Sequence, residues 1–130
     1  MRQEGWESLL YHHILEARGK EFEWGTHDCV LWCADWIQKV TGEDLAANWR
    51  GTYSTQEEAD TILGSLGFNN ASELASHYQE EIPVARAQRG DIMLHPSGTL
   101  GICDGAFAYF VTKDGVLRHE FTKCLRAWKV

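Results

Sequence analysis

A cysteine at position 29 follows an aspartate, at the end of the run Phe22-Glu23-Trp24-Gly25-Thr26-His27-Asp28-Cys29. From Asp28 to Val40, apolar side chains recur at helical spacing: Cys29, Val30, Cys33, Trp36, Ile37 and Val40. Cys29 is therefore expected in the first turn of a helix. A thiol there feels the positive end of the helix dipole and the unpaired N–H groups of the first turn, and both favour thiolate. A lowered pKa raises the fraction of nucleophile at neutral pH. Asp28 is suited to cap the helix, and Gly25 lets the backbone turn tightly before it. Cys29 is thus a credible nucleophile. It is equally a small apolar residue of the kind that docks a helix start against a sheet.

A thiolate needs a base to take its proton and a third group to orient that base. His27 lies two residues before Cys29, and His95 precedes Pro96 in a segment between two predicted strands. Both are candidate bases. Spacing alone places neither, because a histidine adjacent in sequence need not point at the sulfur. His119 falls on a late strand. His12 and His13 on the first helix and His77 on the fourth read as surface or internally satisfied residues. The chain has no His-Glu-x-x-His pattern to support zinc hydrolysis.

The cysteines offer a second chemistry. Cys29 and Cys33 are one helical turn apart, and Thr99, Gly101 and Cys103 share a strand face by two-residue alternation. Together with Cys124 they could hold zinc or an iron–sulfur cluster if the fold gathers Cys29, Cys33, Cys103 and Cys124. No Cys-x-x-Cys knuckle is present, and free cysteines commonly pack as small hydrophobes, so no cofactor is the favoured reading.

The elements that must position these residues change character near Pro83. Before it the patterns are helical. Trp6 to Arg18 is one helix, stopped by Gly19, and Asp28 to Val40 is a second, broad-striped and central, ended by Thr41-Gly42. Ser54 and Thr55 precede Glu57 and Glu58 at capping-box spacing, so a third helix runs to about Leu66. Ala71 to Tyr78 makes a fourth. After Pro83, strands are expected at Asp91 to Leu94, Thr99 to Cys103, Phe107 to Thr112 and Val116 to Phe121. Asp114-Gly115 reads as a two-residue hairpin loop. Helices first and an antiparallel sheet afterwards is an α+β arrangement.

Three segments in this order resemble the NlpC-like, papain-related cell-wall cysteine peptidases. They are Phe22-x-Trp24-Gly25-x-x-Asp28-Cys29, then Arg89-Gly90-Asp91-Ile92-Met93-Leu94, then Leu100-Gly101-Ile102-Cys103-Asp104-Gly105. In that family an aromatic-Gly-x-x-Asp-Cys motif opens the central helix. A Gly-Asp strand and a His-Val-Gly-Ile-Tyr-x-Gly strand follow. Over residues 5 to 130 the chain is also similar to a family of short phage and prophage proteins from tail-gene clusters. That similarity rests on Trp24-Gly25-x-x-Asp28-Cys29, Thr41-Gly42-x-Asp44, Arg50-Gly51-x-Tyr53 and Ala127-Trp128-Lys129-Val130.

The resemblance implies an NlpC-like fold with Cys29 as nucleophile and the base at the residue before Leu100. That residue is Thr99, and threonine is no base at neutral pH. The resemblance further implies that the face of Thr99, Gly101 and Cys103 looks towards the central helix, bringing Cys103 near Cys33.

Tryptophans near these motifs suit either a sugar-binding platform or an ordinary core, and the core is the favoured reading. Trp6 and Trp128 are candidate contacts for a partner. Arg50 is expected to pair with Asp35 or Asp44.

The totals bound the class. A chain of 130 residues, 44% hydrophobic with six tryptophans, suits one domain over residues 1–130 with a real core. A net charge of -7 without a basic run argues against general nucleic-acid binding. No apolar run is long enough to span a membrane, and Met1 to Trp6 does not read as a secretory leader, so reduced thiols are expected.

Two functional classes result. The first is a structural component of a phage tail tip or tail assembly, built on a degenerate peptidase domain. It would bind hub or tip proteins, and be made in the host cytoplasm before entering the virion. The second is an active cysteine hydrolase of peptidoglycan peptides used in phage entry. A cysteine-ligated metal or cluster protein is a third possibility.

Overall fold

The computed structural model describes residues 2–130. Met1, the first residue of the segment read above for a leader, lies outside them. Four helices come first: α1 (Trp6–Arg18), α2 (Cys29–Thr41), α3 (Gln56–Ser65) and α4 (Ala71–Tyr78). Six strands follow: β1 (Glu80–Ile82), β2 (Ile92–Leu94), β3 (Leu100–Asp104), β4 (Phe107–Thr112), β5 (Gly115–Glu120) and β6 (Arg126–Lys129). They form one sheet in the order β1-β6-β2-β3-β4-β5, antiparallel throughout. The class is α+β. No helix among the described residues is long and apolar enough to cross a membrane.

Three of the four helix starts follow from side chains that satisfy orphan N–H groups. Asp28 has extended backbone and its Oδ1 accepts from the Leu31 N–H at 2.9 Å. Thr55 Oγ1 accepts from the Glu58 N–H, while the Glu58 carboxylate reaches back to the N–H of Ser54. That is one residue further than in a capping box. Asn70 caps α4 through the Glu73 N–H.

The sequence pattern marks four of the six strands. The other two are too short and mixed to alternate. Glu80-Glu81-Ile82 carries two carboxylates, and Arg126-Ala127-Trp128-Lys129 sets two cations around two apolar residues. β6 nevertheless lies inside the sheet, with Trp128 opposite Ile92 on one side and Glu81 on the other. The β4–β5 hairpin forms with Thr112 opposite Gly115, so its loop is Lys113-Asp114, one residue earlier than the Asp114-Gly115 expectation.

Strand alternation puts a core cluster on each face of the sheet, and Leu31, Ala34, Ala46 and Tyr53 form a third. Ile92, Leu94, Leu100, Ile102 and Trp128 face α1 and α2, where Leu10, Ile14, Trp32, Cys33, Trp36 and Val40 pack against them. Met93, Cys103, Ala108, Phe110, Cys124 and Ala127 form a second cluster on the opposite sheet face. Gly101 belongs to that second face. A Cβ there would stand 2.2 Å from the Tyr109 carbonyl oxygen and 2.3 Å from the Phe110 ring. So the expected orientation of β3 is reversed: Leu100 and Ile102 meet the central helix, while Gly101 and Cys103 turn away from it.

Trp36 fixes α2 against the sheet. It is fully buried, and its indole N–H donates to the Gly90 carbonyl at 2.8 Å. Burial of such a side chain contributes roughly 1.5–3 kcal/mol. The next residue, Asp91, is also buried and accepts from the backbone N–H groups of Gln88 and Val130 and from the Arg2 guanidinium. The Gly-Asp motif is thus an anchor between the central helix and both edges of β2.

Candidate functional site

Cys29 is the first residue of α2 and lies half-buried in the floor of a cleft of about 280 Å³. One wall is the start of α2 with Trp24, Trp49 and Tyr53. A second is α3, through Ala59, Ile62, Leu63 and Leu66. The third is the Ser97-Gly98-Thr99 turn that leads into β3. Backbone N–H groups of Leu100, Val30 and Cys29 itself favour the anionic form of the thiol.

The network beneath the sulfur explains why the motif residues are what they are. Asp28 is fully buried. Its Oδ2 accepts from the Gly25 N–H at 3.0 Å and from the Tyr53 hydroxyl in a short hydrogen bond. Gly51 N–H donates to the Gly25 carbonyl at 2.9 Å. Gly25 has φ +82°, and a Cβ there would come within 1.9 Å of the Tyr53 carbonyl oxygen. Trp24-Gly25-x-x-Asp28 and Arg50-Gly51-x-Tyr53 are therefore two halves of one brace.

Arg50 continues the brace. Its Nε donates to both carboxylate oxygens of Asp44, at 3.1 and 3.0 Å, and its Nη1 meets Asp35 on α2. It pairs with both acids considered above. Asp44, of the Thr41-Gly42-x-Asp44 motif, is thereby held below the usual carboxylate range.

This arrangement does not activate the thiol. Burial, then the Asp28 charge, push Cys29 up to about 11, outweighing the three N–H groups. The expectation that the helix start yields a thiolate is corrected here. The first-turn N–H groups act as argued, but burial of the sulfur and the Asp28 carboxylate outweigh them.

Neither candidate base reaches the cleft. His27 is buried and lines a separate hollow with His13, Lys20, Trp32 and Asp35. Its Nε2 has no hydrogen-bond partner within the protein, and burial followed by Lys20 lowers its pKa. His95 directs Nδ1 to the Ser97 N–H at 3.0 Å and the Ser97 hydroxyl at 2.8 Å. Its ring packs edge-on against Phe110 and His119, with centroids 5.3 and 4.5 Å away. Ser97 Oγ lies 3.0 Å from Thr99 Oγ1, so a hydroxyl chain joins the cleft wall to an imidazole that faces elsewhere. No histidine lines the cleft among the described residues.

The profile of this chain matches over residues 1–130 a family described as "Domain of unknown function (DUF6950)". The chain belongs to the DUF6950 family. No curated protein matches it.

In this DUF6950 protein the cysteine set is dispersed. Cys33 packs on the helical side of the sheet, whereas Cys103 and Cys124 lie in the cluster on the opposite face. Their thiols donate to the carbonyls of Gly105 and Glu120. No group of three or more His, Cys, Asp or Glu side chains among the described residues could hold a metal ion. The approach of Cys103 to Cys33 fails because Gly101 and Cys103 face away from α2.

One further expectation changes. Trp128 is fully buried, with its indole N–H on Ser76 Oγ at 3.0 Å, so it is a core residue and not a partner contact. Trp6 is half-buried against the helical core beneath the Arg2 guanidinium, 4.3 Å from its ring. Tyr53 is the site residue that sequence reasoning quoted without a role. The Arg-Gly-x-Tyr spacing was its signal, but only the fold brings its hydroxyl to Asp28.

Proposed function

We propose that this DUF6950 domain is a degenerate NlpC-like domain serving as a structural component of a phage tail tip or tail assembly, its Cys29 cleft kept for binding and not for hydrolysis. The carrying observation is the lining of the cleft. Thr99 stands there, no histidine lines the cleft, and the thiol is held protonated. A cysteine hydrolase needs a proton acceptor in hydrogen-bond reach of its nucleophile. The brace of Asp28, Tyr53 and Gly25 instead preserves the shape of the cleft. In this reading the partners are tail hub or tip proteins, with peptidoglycan as a second ligand. The protein is assembled in the host cytoplasm and carried in the virion.

The hydrolase remains the second reading, because Cys29 opens α2 in the cleft and the N–H groups of Leu100, Val30 and Cys29 favour its thiolate. One comparison separates the two. Purified wild type and Cys29→Ala are incubated with soluble muropeptides, and products are followed by mass spectrometry. The binding reading expects no turnover from either protein. Cleavage by wild type that Cys29→Ala abolishes overturns it in favour of the enzyme. The tail assignment expects co-purification with hub or tip proteins of the same gene cluster, and persistent monomeric behaviour beside all of them counts against it.

A further inference from the structure

The net charge of the chain is concentrated in one segment. Between Gly51 and Ala85 lie Glu57, Glu58, Asp60, Glu73, Glu80 and Glu81, with no lysine or arginine. Those carboxylates account for all but one unit of the net charge of -7, so the rest of the chain is nearly balanced. The same segment supplies α3, the outer wall of the Cys29 cleft.

That wall is also incompletely covered. Ala59, Ile62, Leu63 and Leu66 recur at i, i+3, i+4 and i+7 and so form one apolar stripe. All four line the cleft, and Ala59 and Ile62 pack in part against Leu31, Ala34, Ala46 and Tyr53. Yet no residue of α3 is buried, and Leu66, just past its end, is 46% exposed. A helix normally hides such a stripe, because packing of its apolar face supplies most of its stability. Asp60 stands on the same wall, and Gln56, Asn69 and Asn70 add amide groups at the rim. In the same cleft, Trp24 and Trp49 give aromatic surface. The nearby cations are already engaged: Arg50 by Asp35 and Asp44, and Lys113 over the Trp24 ring at 5.7 Å.

We propose that the cleft holds an extended segment of a partner protein in which apolar side chains are flanked by lysine or arginine. The apolar side chains cover the α3 stripe and meet Trp24 and Trp49. The flanking cations face Asp60 and the carboxylates of Glu57 and Glu58. At about 280 Å³ the cleft takes a few side chains and not a folded surface. This identifies the class of partner for the binding cleft and rests on the reading of that cleft as non-catalytic.

The test uses the full chain, labelled with ¹⁵N, and two short capped peptides. Each has Leu-Phe-Leu at its centre, one with lysines on both sides and the other with glutamates. The lysine peptide is expected to shift the indole N–H signals of Trp24 and Trp49 and the amides of Ile62, Leu63 and Leu66. It should bind roughly tenfold or more tighter than the glutamate peptide, and weaken as salt is raised. Asp60→Lys and the double variant Leu63→Gln, Leu66→Gln should each reduce binding while the rest of the spectrum is unchanged. No shift at millimolar peptide overturns the proposal. So do equal binding of the two peptides, or shifts mapping outside the cleft. A muropeptide that shifts the same signals while the lysine peptide does not would assign the cleft to the cell wall and also overturn it. Muropeptide turnover, by contrast, sinks the non-catalytic reading and leaves the peptide titration to be judged by itself.

Discussion

Tyr53 donates its hydroxyl hydrogen to Oδ2 of Asp28, joining a loop residue to the cap of the central helix directly below Cys29. Asp28 is fully buried and takes two further hydrogen bonds, from the N–H groups of Gly25 and Leu31. A buried carboxylate is tolerated only when its lone pairs are satisfied. The phenol pays in turn: burial first, then the bond to Asp28, raise its pKa far above that of a free tyrosine.

Tyr53→Phe removes one of the donors and leaves the carboxylate in place. Loss of a hydrogen bond to a charged group is expected to cost about 1.5–3 kcal/mol. Asp28→Ala should cost more, since it strips the helix cap and strands the N–H groups of Gly25 and Leu31. Urea denaturation of both variants against wild type measures this. A Tyr53→Phe protein as stable as wild type would show that the brace contributes nothing.

Two glycines with nearly the same φ separate strain from contact. Gly5 has φ +79° with open space around it, and Gly25 has φ +82° with the Tyr53 carbonyl in the way. Gly5→Ala should cost only the left-handed penalty, about 1–2 kcal/mol. Gly25→Ala must also displace the Tyr53 backbone, and is expected to lose several-fold more stability or fail to fold. Equal denaturation midpoints for the two variants would contradict the close approach.

Much of this fold is legible in the residues. All four helices are legible, and Asp28, Thr55 and Asn70 cap three of them in the structure. β1 and β6 are not legible, because three or four residues with mixed charge carry no period. Their pairing is dictated by contacts far apart in sequence, such as Trp128 opposite Ile92. The orientation of β3 was readable in principle from Gly101, where Phe110 allows no side chain, but only once β4 is known to lie beside it. At the site, Cys29 and Thr99 both line the cleft, and the Thr99 hydroxyl is turned to Ser97. Sequence spacing cannot report that Asp28 and dense packing raise the thiol pKa, because that depends on what surrounds the sulfur in space.

His13 makes stability depend on pH. It is buried, its Nε2–H donates to the Trp32 carbonyl at 3.0 Å, and its Nδ1 accepts from the Lys39 ammonium at 2.9 Å. Burial, then Lys39, lower its pKa from 6.5 to about 4. The unfolded chain therefore binds the proton more readily than the folded one between these values. The stabilisation is fully present above pH 6.5 and is lost as pH falls towards 4. Its full size is on the order of 3 kcal/mol. Urea melts across this range should show stability rising with pH, and His13→Gln should flatten that slope. A slope of the same size in the variant would assign the dependence to other groups.

The state of Cys29 is open to direct chemical measurement. With the thiol pushed up to about 11, alkylation by iodoacetamide should be slow at pH 7 and rise about tenfold per pH unit until the pH approaches that value. Thr99→His then tests whether a side chain at this cleft-lining residue reaches the sulfur. A positive ring beside the thiol favours thiolate and should lower its pKa by at least about one unit. Alkylation at pH 7 should therefore accelerate roughly tenfold or more over wild type. Cys29→Ser in the Thr99→His background should remove the fast phase, which shows that the label sits on that sulfur. Identical alkylation rates for wild type and Thr99→His at every pH would mean that residue 99 does not face Cys29, and the comparison with a peptidase that has lost its base would fall with it.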